Sequence, residues 1–399
     1  MGKFAKRKEG KIVSKDAQDR PGYVATKAPK SLPTAKPVKK TSIAVEKASE
    51  PEPTIPLALQ QLLLDIFRDA FAELLMGEKL QAVLQEVKGA LYERDFGRAF
   101  GNEEFLEAYA LRWSPSRAVG YVCVLSDVRE HFKGITGLCG RRVEGELEVV
   151  CFGGGAAEVV GFGGFLKFLL DTAPAKARVE TVEGALGELK VGEEPRIKLN
   201  LVDTASWGAV TKKLNEGLVG LPTLSKYTNA AAREANSSLL APGNIATTFQ
   251  ADDILALSQT QIAEMVGGGE KLLTLLFTLN ELYTASMGKT TTFLLNLTLA
   301  AKPGTLLLVV DSPGSYSETM VGSESKKYPM KWLLDHTLLE KENKDDKDSL
   351  AKWEKIVSED SRWFRLANSL QYPIPLENMR YQIHLYRRLP PKIIVTSQD

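Results

Sequence analysis

Glu148-Val149-Val150-Cys151-Phe152-Gly153-Gly154-Gly155-Ala156-Ala157-Glu158 is the stretch that decides the fold. An apolar run with β-branched residues ends in three glycines, and a helix-forming run follows. That is the pattern of a buried strand turning sharply into a helix. Further strands are expected at Leu147–Phe152, Ile197–Val202, Ala246–Phe249, Leu272–Leu279, Thr305–Val310 and, late in the chain, Met379–Arg387. Helical runs such as Val159–Leu170 and Lys289–Leu299 lie between several of them. Short apolar strands alternating with helices imply an α/β fold, Rossmann-like, with a doubly wound and mostly parallel sheet.

Upstream the rhythm is helical. Leu59, Leu63, Phe67, Phe71 and Leu74 recur at helical spacing, continued by Leu80, Val83, Leu84 and Val87. Ser114-Pro115 predicts a helix start with Ser114 as N-cap. The expected organisation is a tail over 1–55, a helical N-terminal subdomain over 56–143 and the α/β domain over 144–399. Residues 1–40 carry twelve Lys/Arg against three acids, while the whole chain is only +1, so the body is acidic. The Pro- and Lys-rich tail cannot bury enough apolar surface to order itself; it is an arm for an anionic partner, an import signal or simply solvated chain. Three irregularly spaced cysteines argue against a disulfide framework or a zinc site, and no metal is expected. Met1–Arg20 has no apolar segment of a secretory signal, and no run is long enough to span a bilayer.

The glycine turn allows close backbone approach to a ligand, and the helix start offers free N–H groups. The spacing is not that of a dinucleotide fingerprint, because Glu158 occupies the sixth position. A carboxylate in the first helical turn would repel a pyrophosphate. It suits a ligand with an ammonium and a sulfonium, which is S-adenosylmethionine. The alternative is a tight turn with no ligand. Leu199-Asn200-Leu201-Val202-Asp203 places Asp203 at a strand end, to accept from ribose hydroxyls or to cap the next helix beside Trp207 and Val210. The gap from Gly155 to Asp203 implies an insertion over 171–196. In Thr247-Thr248-Phe249-Gln250-Ala251-Asp252-Asp253, Asp252 accepts from an adenine amino group, or one of the two acids caps Ile254–Leu257. Leu275-Leu276-Phe277-Thr278-Leu279-Asn280-Glu281-Leu282-Tyr283 would bring Asn280 and Glu281 to the cleft, to orient an acceptor base and take a proton, with Tyr283 stacking. Glu281 pairing with Lys289 is the structural alternative. Gly288-Lys289-Thr290-Thr291 imitates a phosphate-binding loop, but the glycine that motif requires is Tyr283.

Together with Arg112-Trp113-Ser114-Pro115-Ser116-Arg117, Val202-Asp203-Thr204-Ala205-Ser206-Trp207, Lys289-Thr290-Thr291-Thr292-Phe293-Leu294-Leu295, Val310-Asp311-Ser312-Pro313-Gly314-Ser315-Tyr316 and Tyr381-Gln382-Ile383-His384-Leu385-Tyr386-Arg387-Arg388, these stretches resemble the fungal 25S ribosomal RNA uridine-N3 methyltransferases over about residues 56–390. The resemblance implies a class I methyltransferase fold and S-adenosylmethionine as donor. It further implies 3-methyluridine in large-subunit rRNA as product, a pre-ribosomal partner, and work in the nucleus or nucleolus, with the cytoplasm as the alternative. The chain is expected to act as a monomer. Two competitors stand beside it: a methyltransferase of proteins or small molecules, and an assembly factor that keeps the fold without catalysis. An acidic body needs a local basic surface for RNA. Candidates are Arg362, Arg365, Arg380, Arg387, Arg388 and Lys392, or Arg112, Arg117, Arg141 and Arg142, with Trp113, Trp363 and Tyr316 as stacking groups.

Overall fold

The computed structural model describes residues 55–140, 143–173, 194–222, 224, 227–234, 236–314, 316–321, 324–339 and 353–390. The basic tail, Arg141, Arg142, Lys392 and the core of the expected insertion lie outside the described residues. Six helices come first: α1 (Leu57–Ala70), α2 (Ala72–Met76), α3 (Leu80–Tyr92), α4 (Phe96–Ala99), α5 (Glu103–Arg112) and α6 (Ser114–Val128). The apolar stripe read from the sequence is their inner face, with Leu59, Leu63, Leu64 and Phe67 of α1 and Leu80, Val83, Leu84 and Val87 of α3 buried. Helix α5 is capped by the Asn102 side chain, which accepts from the Phe105 N–H at 2.9 Å. The α6 cap differs from expectation. Helix α5 runs almost directly into α6, so Trp113 takes the cap position and Ser114 is already helical.

The remaining elements are β1 (Glu146–Phe152), α7 (Ala156–Thr172), β2 (Arg196–Asp203), α8 (Gly208–Val219), α9 (Ala230–Glu234), β3 (Ile245–Ala251), α10 (Gln259–Val266), β4 (Leu272–Leu276), α11 (Leu279–Ala285), α12 (Met287–Ala300), β5 (Leu306–Asp311), β6 (Tyr316–Val321), β7 (Glu324–Pro329), α13 (Met330–Leu338), β8 (Trp353–Phe364) and β9 (Met379–Arg388). Seven strands form one sheet in the order β3-β2-β1-β4-β5-β9-β8, and β6 and β7 pair as a separate hairpin. The first five are parallel neighbours; β9 runs antiparallel to both β5 and β8. Strand order reverses between β1 and β4, where ligands of open α/β sheets sit outside the carboxyl ends.

The sheet is covered on both faces. On one, buried residues of α1, α3, α5, α6, α7 and α8 form a single cluster with Val149, Leu199, Leu308 and Leu385. On the other, α10, α12 and α13 cover Val150, Leu273, Val309 and Tyr386. Helix α7 is pressed between its neighbours: a Cβ on Gly164 would lie 2.7 Å from Leu63 and 2.9 Å from Val122. Truncation of fully buried Leu63 to Ala would cost about 2–5 kcal/mol.

Two expectations change here. The strand expected over 272–279 stops at Leu276, because Phe277 turns into the left-handed region (φ +58) and α11 begins at Leu279. Tyr283 then falls on the buried face of α11, 2 % exposed, and cannot stack on an incoming base.

Candidate active site

Five parallel strands end at the carboxyl edge. Gly153 leaves β1 with φ +77, a conformation that disfavours any side chain, and its N–H donates to Val202 O at 2.7 Å. A Cβ there would lie 2.3 Å from Thr278 Oγ1, so the turn after β1 and the turn after β4 touch. A Cβ on Gly154 would meet Cys151 at 2.6 Å, and one on Gly155 the Trp207 ring at 3.2 Å. The space that glycine leaves is filled by protein side chains on those sides. The glycines serve the packing of the loop as well as its turn.

Glu158 is buried and reaches back to its own helix start, where Oε2 accepts from the Gly155 N–H at 2.8 Å. Burial pushes its carboxyl up to about 7 against the pull of those backbone donors and of Arg117, and Asp203 pushes it further up. Asp203 ends β2 with Oδ1 accepting from Ala205 N–H at 2.8 Å; burial raises it to about 6. Asp203 shapes the turn in front of buried Trp207 but does not cap α8, whose N-cap position is Trp207 with no side-chain cap. Its backbone carbonyl accepts from Asp252 N–H at 3.0 Å, which brings the ends of β2 and β3 together. Asp252 accepts from the Gln250 side chain, and the cap of the following turn is Asp253, through Leu255 N–H at 2.9 Å.

Across the switch point, Asn280 and Glu281 stand in the first turn of α11. The Asn280 N–H donates to Asp311 Oδ2 at 3.0 Å and Ser312 N–H to Asp311 Oδ1 at 2.7 Å. Asp311, at the end of β5, is pushed up to about 6 by burial, and Glu281 adds to that. Glu281 pairs with Arg94 at 3.3 Å, not with Lys289. Asn280 Oδ1 and Glu281 Oε2 are buried oxygens without a hydrogen-bond partner among the described residues. Buried acceptors left unsatisfied are costly, and they are the atoms a ligand donor would satisfy.

Arg117 was expected on an RNA surface. The structure places it at this edge instead. Its guanidinium lies 4.7 Å from the Phe277 ring centre and donates to Tyr109 Oη at 2.7 Å. Burial opposes its charge, yet Tyr109, Tyr121, Glu158 and Asp311 hold it above the ordinary arginine range. Asp311 and Arg117 are the site groups that sequence reasoning missed. Asp311 ends an apolar strand, Leu306–Asp311, as Asp203 ends β2, and that parallel was the available signal. Arg117 follows a helix start and gave none. Tyr109, Phe100 and Trp207 form an aromatic wall beside Gly155, with ring centres 5.0–5.8 Å apart.

A glycine turn, three buried carboxylates and two orphaned acceptors around one switch point fit a cationic nucleoside. A family model for SAM-dependent methyltransferases matches residues 67–387. The chain belongs to this family. The methyltransferase is also 32% identical, over 336 residues, to a 25S rRNA (uridine(2843)-N(3))-methyltransferase of Saccharomyces cerevisiae; the match covers 82% of this chain and 85% of that one. Among solved structures it is similar to an O-methyltransferase family protein from Burkholderia thailandensis (12% identity, 79% and 71% of the two chains, TM-score 0.33). It is also similar to a 16S rRNA (adenine(1408)-N(1))-methyltransferase from Catenulisporales acidiphilia (13%, 63% and 92%, TM-score 0.30). At such TM-scores the class I methyltransferase fold rests on the strand order and on antiparallel β9, not on these overlaps. S-adenosylmethionine is therefore the donor. Among the described residues no cluster of three His, Cys, Asp or Glu could hold a metal ion, and no helix is long and apolar enough to cross a membrane.

Proposed function

We propose that this methyltransferase modifies N3 of a uridine in large-subunit rRNA, during ribosome assembly in the nucleolus. The observation that carries the reading is the pair of buried, unpartnered oxygens on Asn280 and Glu281, set beside the turn that touches Gly153. The relative named above supports the substrate. In this reading the backbone of Gly153, Gly154 and Gly155 with Glu158, Asp203 and Asp252 holds the donor. The α/β part from residue 144 is the transferase domain, and the helices of 56–143 wall the glycine loop.

When bound, S-adenosylmethionine supplies an electrophilic methyl on a sulfonium. Uracil N3 carries a proton and is a weak nucleophile until it leaves; it also lies on the pairing edge, so the uridine is unpaired or flipped out. Asn280 Oδ1 orients the base. Glu281 Oε2 accepts the N3 proton as N3 takes up the methyl, and Arg94 steers the other carboxylate oxygen. Mass spectrometry of rRNA nucleosides is the test. 3-Methyluridine falls without the protein and returns with the wild type but not with Glu281→Gln; an unchanged level without the protein refutes the reading.

One observation favours a second reading. Trp207 covers Gly155, and the Glu158 carboxylate already caps its own helix, as a scaffold without donor binding would have it. Calorimetry with S-adenosylhomocysteine separates the two: absence of binding at millimolar ligand supports the scaffold.

A further inference from the structure

The chain has five tryptophans. Trp207 and Trp353 are buried and Trp113 is partly buried against Tyr109. The other two are open, Trp332 at 48% and Trp363 at 53% exposed. An exposed indole offers a large apolar face with a polar N–H to a partner. Both stand beside the last two strands of the sheet. Strand β9 is antiparallel to β5, so its first residues, Met379–Tyr381, lie beyond Asp311 at the carboxyl edge. Trp363 of β8 pairs with Arg380 there and shares its face. Two residues further along that face, the Gln382 side chain donates to Ser312 O at 2.7 Å, one residue past Asp311, whose carboxylate holds the Asn280 backbone.

Helix α13 covers the same face, where Tyr386 Oη donates to Asp335 at 2.7 Å. Between α13 and the strands opens a cavity of about 410 Å³, lined by Gly314, Lys331, Trp332, Asp335, Asp360 and Gln382. On one side of it Tyr328, Trp332 and His336 stack in a ladder, with successive ring centres 5.0 Å apart. On the other side Arg365 and Arg380 lie 4.9 and 5.7 Å from the Trp363 ring centre. The acids at the cavity are already neutralised, Asp360 by Lys331 at 2.6 Å and Asp335 by Lys355. Arg365 and Arg380 form no ion pair among the described residues, although the body of the chain is acidic.

We propose that this strip, from the ring ladder of α13 across the cavity to Trp363, Arg365 and Arg380, is where single-stranded RNA flanking the target nucleotide docks. Flat exposed rings give stacking platforms that accept any base, and unpaired guanidiniums meet phosphates. The cavity is lined by Gln382, whose side chain is tied through Ser312 O to the turn after Asp311, the residue that holds the Asn280 backbone. The inference rests on the rRNA reading and extends it from a nucleotide to a path.

Binding of a single-stranded oligouridylate to the full chain tests it, followed by quenching of tryptophan fluorescence and by anisotropy of a labelled oligomer. Trp363→Ala is expected to weaken binding about tenfold or more, the scale of one lost base stack, and Trp332→Ala to weaken it by a smaller factor, because that ring lies between Tyr328 and His336 and supports the ladder instead of ending it. Arg380→Gln should lower the slope of log affinity against log salt by about 0.7, one phosphate contact on a single strand. S-adenosylhomocysteine affinity and melting temperature should stay at wild-type values, because these side chains lie on the surface outside the donor site. Trp variants that bind oligouridylate as the wild type does overturn the docking surface while leaving the rRNA reading in place. A wild type that binds no RNA at all overturns both.

Discussion

The half of the sheet that runs β3-β2-β1-β4 and the half that runs β5-β9-β8 are built by different rules. In the first, every strand is parallel, is followed at once by a turn carrying a polar side chain, and delivers that side chain to the switch point. In the second, the strands are antiparallel beyond β5, joined through a hairpin and a helix, and present their side chains on a face instead of at a tip. The first half concentrates carboxylates: Glu158 and Asp203 sit within it and Asp311 borders it. The second carries exposed aromatic rings and, in Arg365 and Arg380, guanidiniums with no ion pair among the described residues. In the proposed reading a cationic donor and an anionic polymer lie on opposite sides of Asn280 and Glu281, and attraction for one need not cost attraction for the other.

The harshest way to break this comparison is Gly153→Ala. The substitution combines a left-handed backbone with a Cβ 2.3 Å from Thr278, in a turn that cannot yield without parting β1 from β4. Backbone strain of about 1–2 kcal/mol and overpacking of about 1–3 kcal/mol add at one point. S-adenosylhomocysteine binding by calorimetry should fall at least a hundredfold, with a lower melting temperature. Near-normal binding would show that the donor does not use this loop.

Next in size is Glu281→Gln. Loss of a positioned proton acceptor typically costs about 10²–10⁴ in rate. The turnover number on RNA should fall in that range with S-adenosylhomocysteine affinity changed less than threefold. Arg94→Gln should cost less than tenfold, since the ion pair is half exposed and such pairs are worth about 1 kcal/mol or less. A Glu281→Gln enzyme with full turnover removes that carboxylate from the chemistry.

The difference between the halves also decided what the sequence could reveal. Strands β1, β2 and β5 are short apolar runs that end at Gly or Asp, so each strand and its chemistry sit within a dozen residues; β1, β2, β3 and β5 were all expected within a residue or two of their observed ends. Strand β8 was not foreseen. Trp353-Glu354-Lys355-Ile356-Val357-Ser358-Glu359-Asp360-Ser361-Arg362-Trp363-Phe364 is an edge strand with two irregularities in its register, and most of its side chains face water. Neither alternation nor a run survives in it. Arg117 was counted with Arg112, Arg141 and Arg142 as a candidate for a basic RNA surface. Its true neighbours, Phe277 and Tyr109, come from other elements. Phe277 hid the end of β4, because an aromatic residue does not announce a left-handed turn. Trp363 and Arg380 were singled out as candidates for an RNA surface and both stand exposed, but their pairing across β8 and β9 is long-range and only the fold supplies it.

Acidity offers a finer probe of the donor half. Glu158 carries a raised carboxyl, near 7, and a cationic ligand favours the ionised form. Below that value the site is protonated and neutral; above it the charge is in place. Affinity for S-adenosylmethionine should therefore strengthen as pH rises through 7. One proton linked to binding gives about a tenfold gain between pH 6 and pH 8. Glu158→Gln should flatten the profile. The single-stranded RNA affinity of the other half depends on arginines that do not titrate there, so it should not follow the same curve. Parallel pH profiles for the two ligands would erase the separation drawn above.

The smallest effect is the most exact control on Gly153. Gly314 also has a left-handed backbone (φ +73), but it stands after β5 and a Cβ on it would meet nothing within 4 Å. Gly314→Ala therefore retains the strain and removes the clash. Only the backbone cost of about 1–2 kcal/mol remains, partly offset by a less disordered unfolded chain. The melting temperature should drop slightly and S-adenosylhomocysteine affinity should not move. If donor affinity falls as it does for Gly153→Ala, then the loop after β5 belongs to the donor site. The border between the two ligands would then run between β5 and β9 and no longer between β4 and β5.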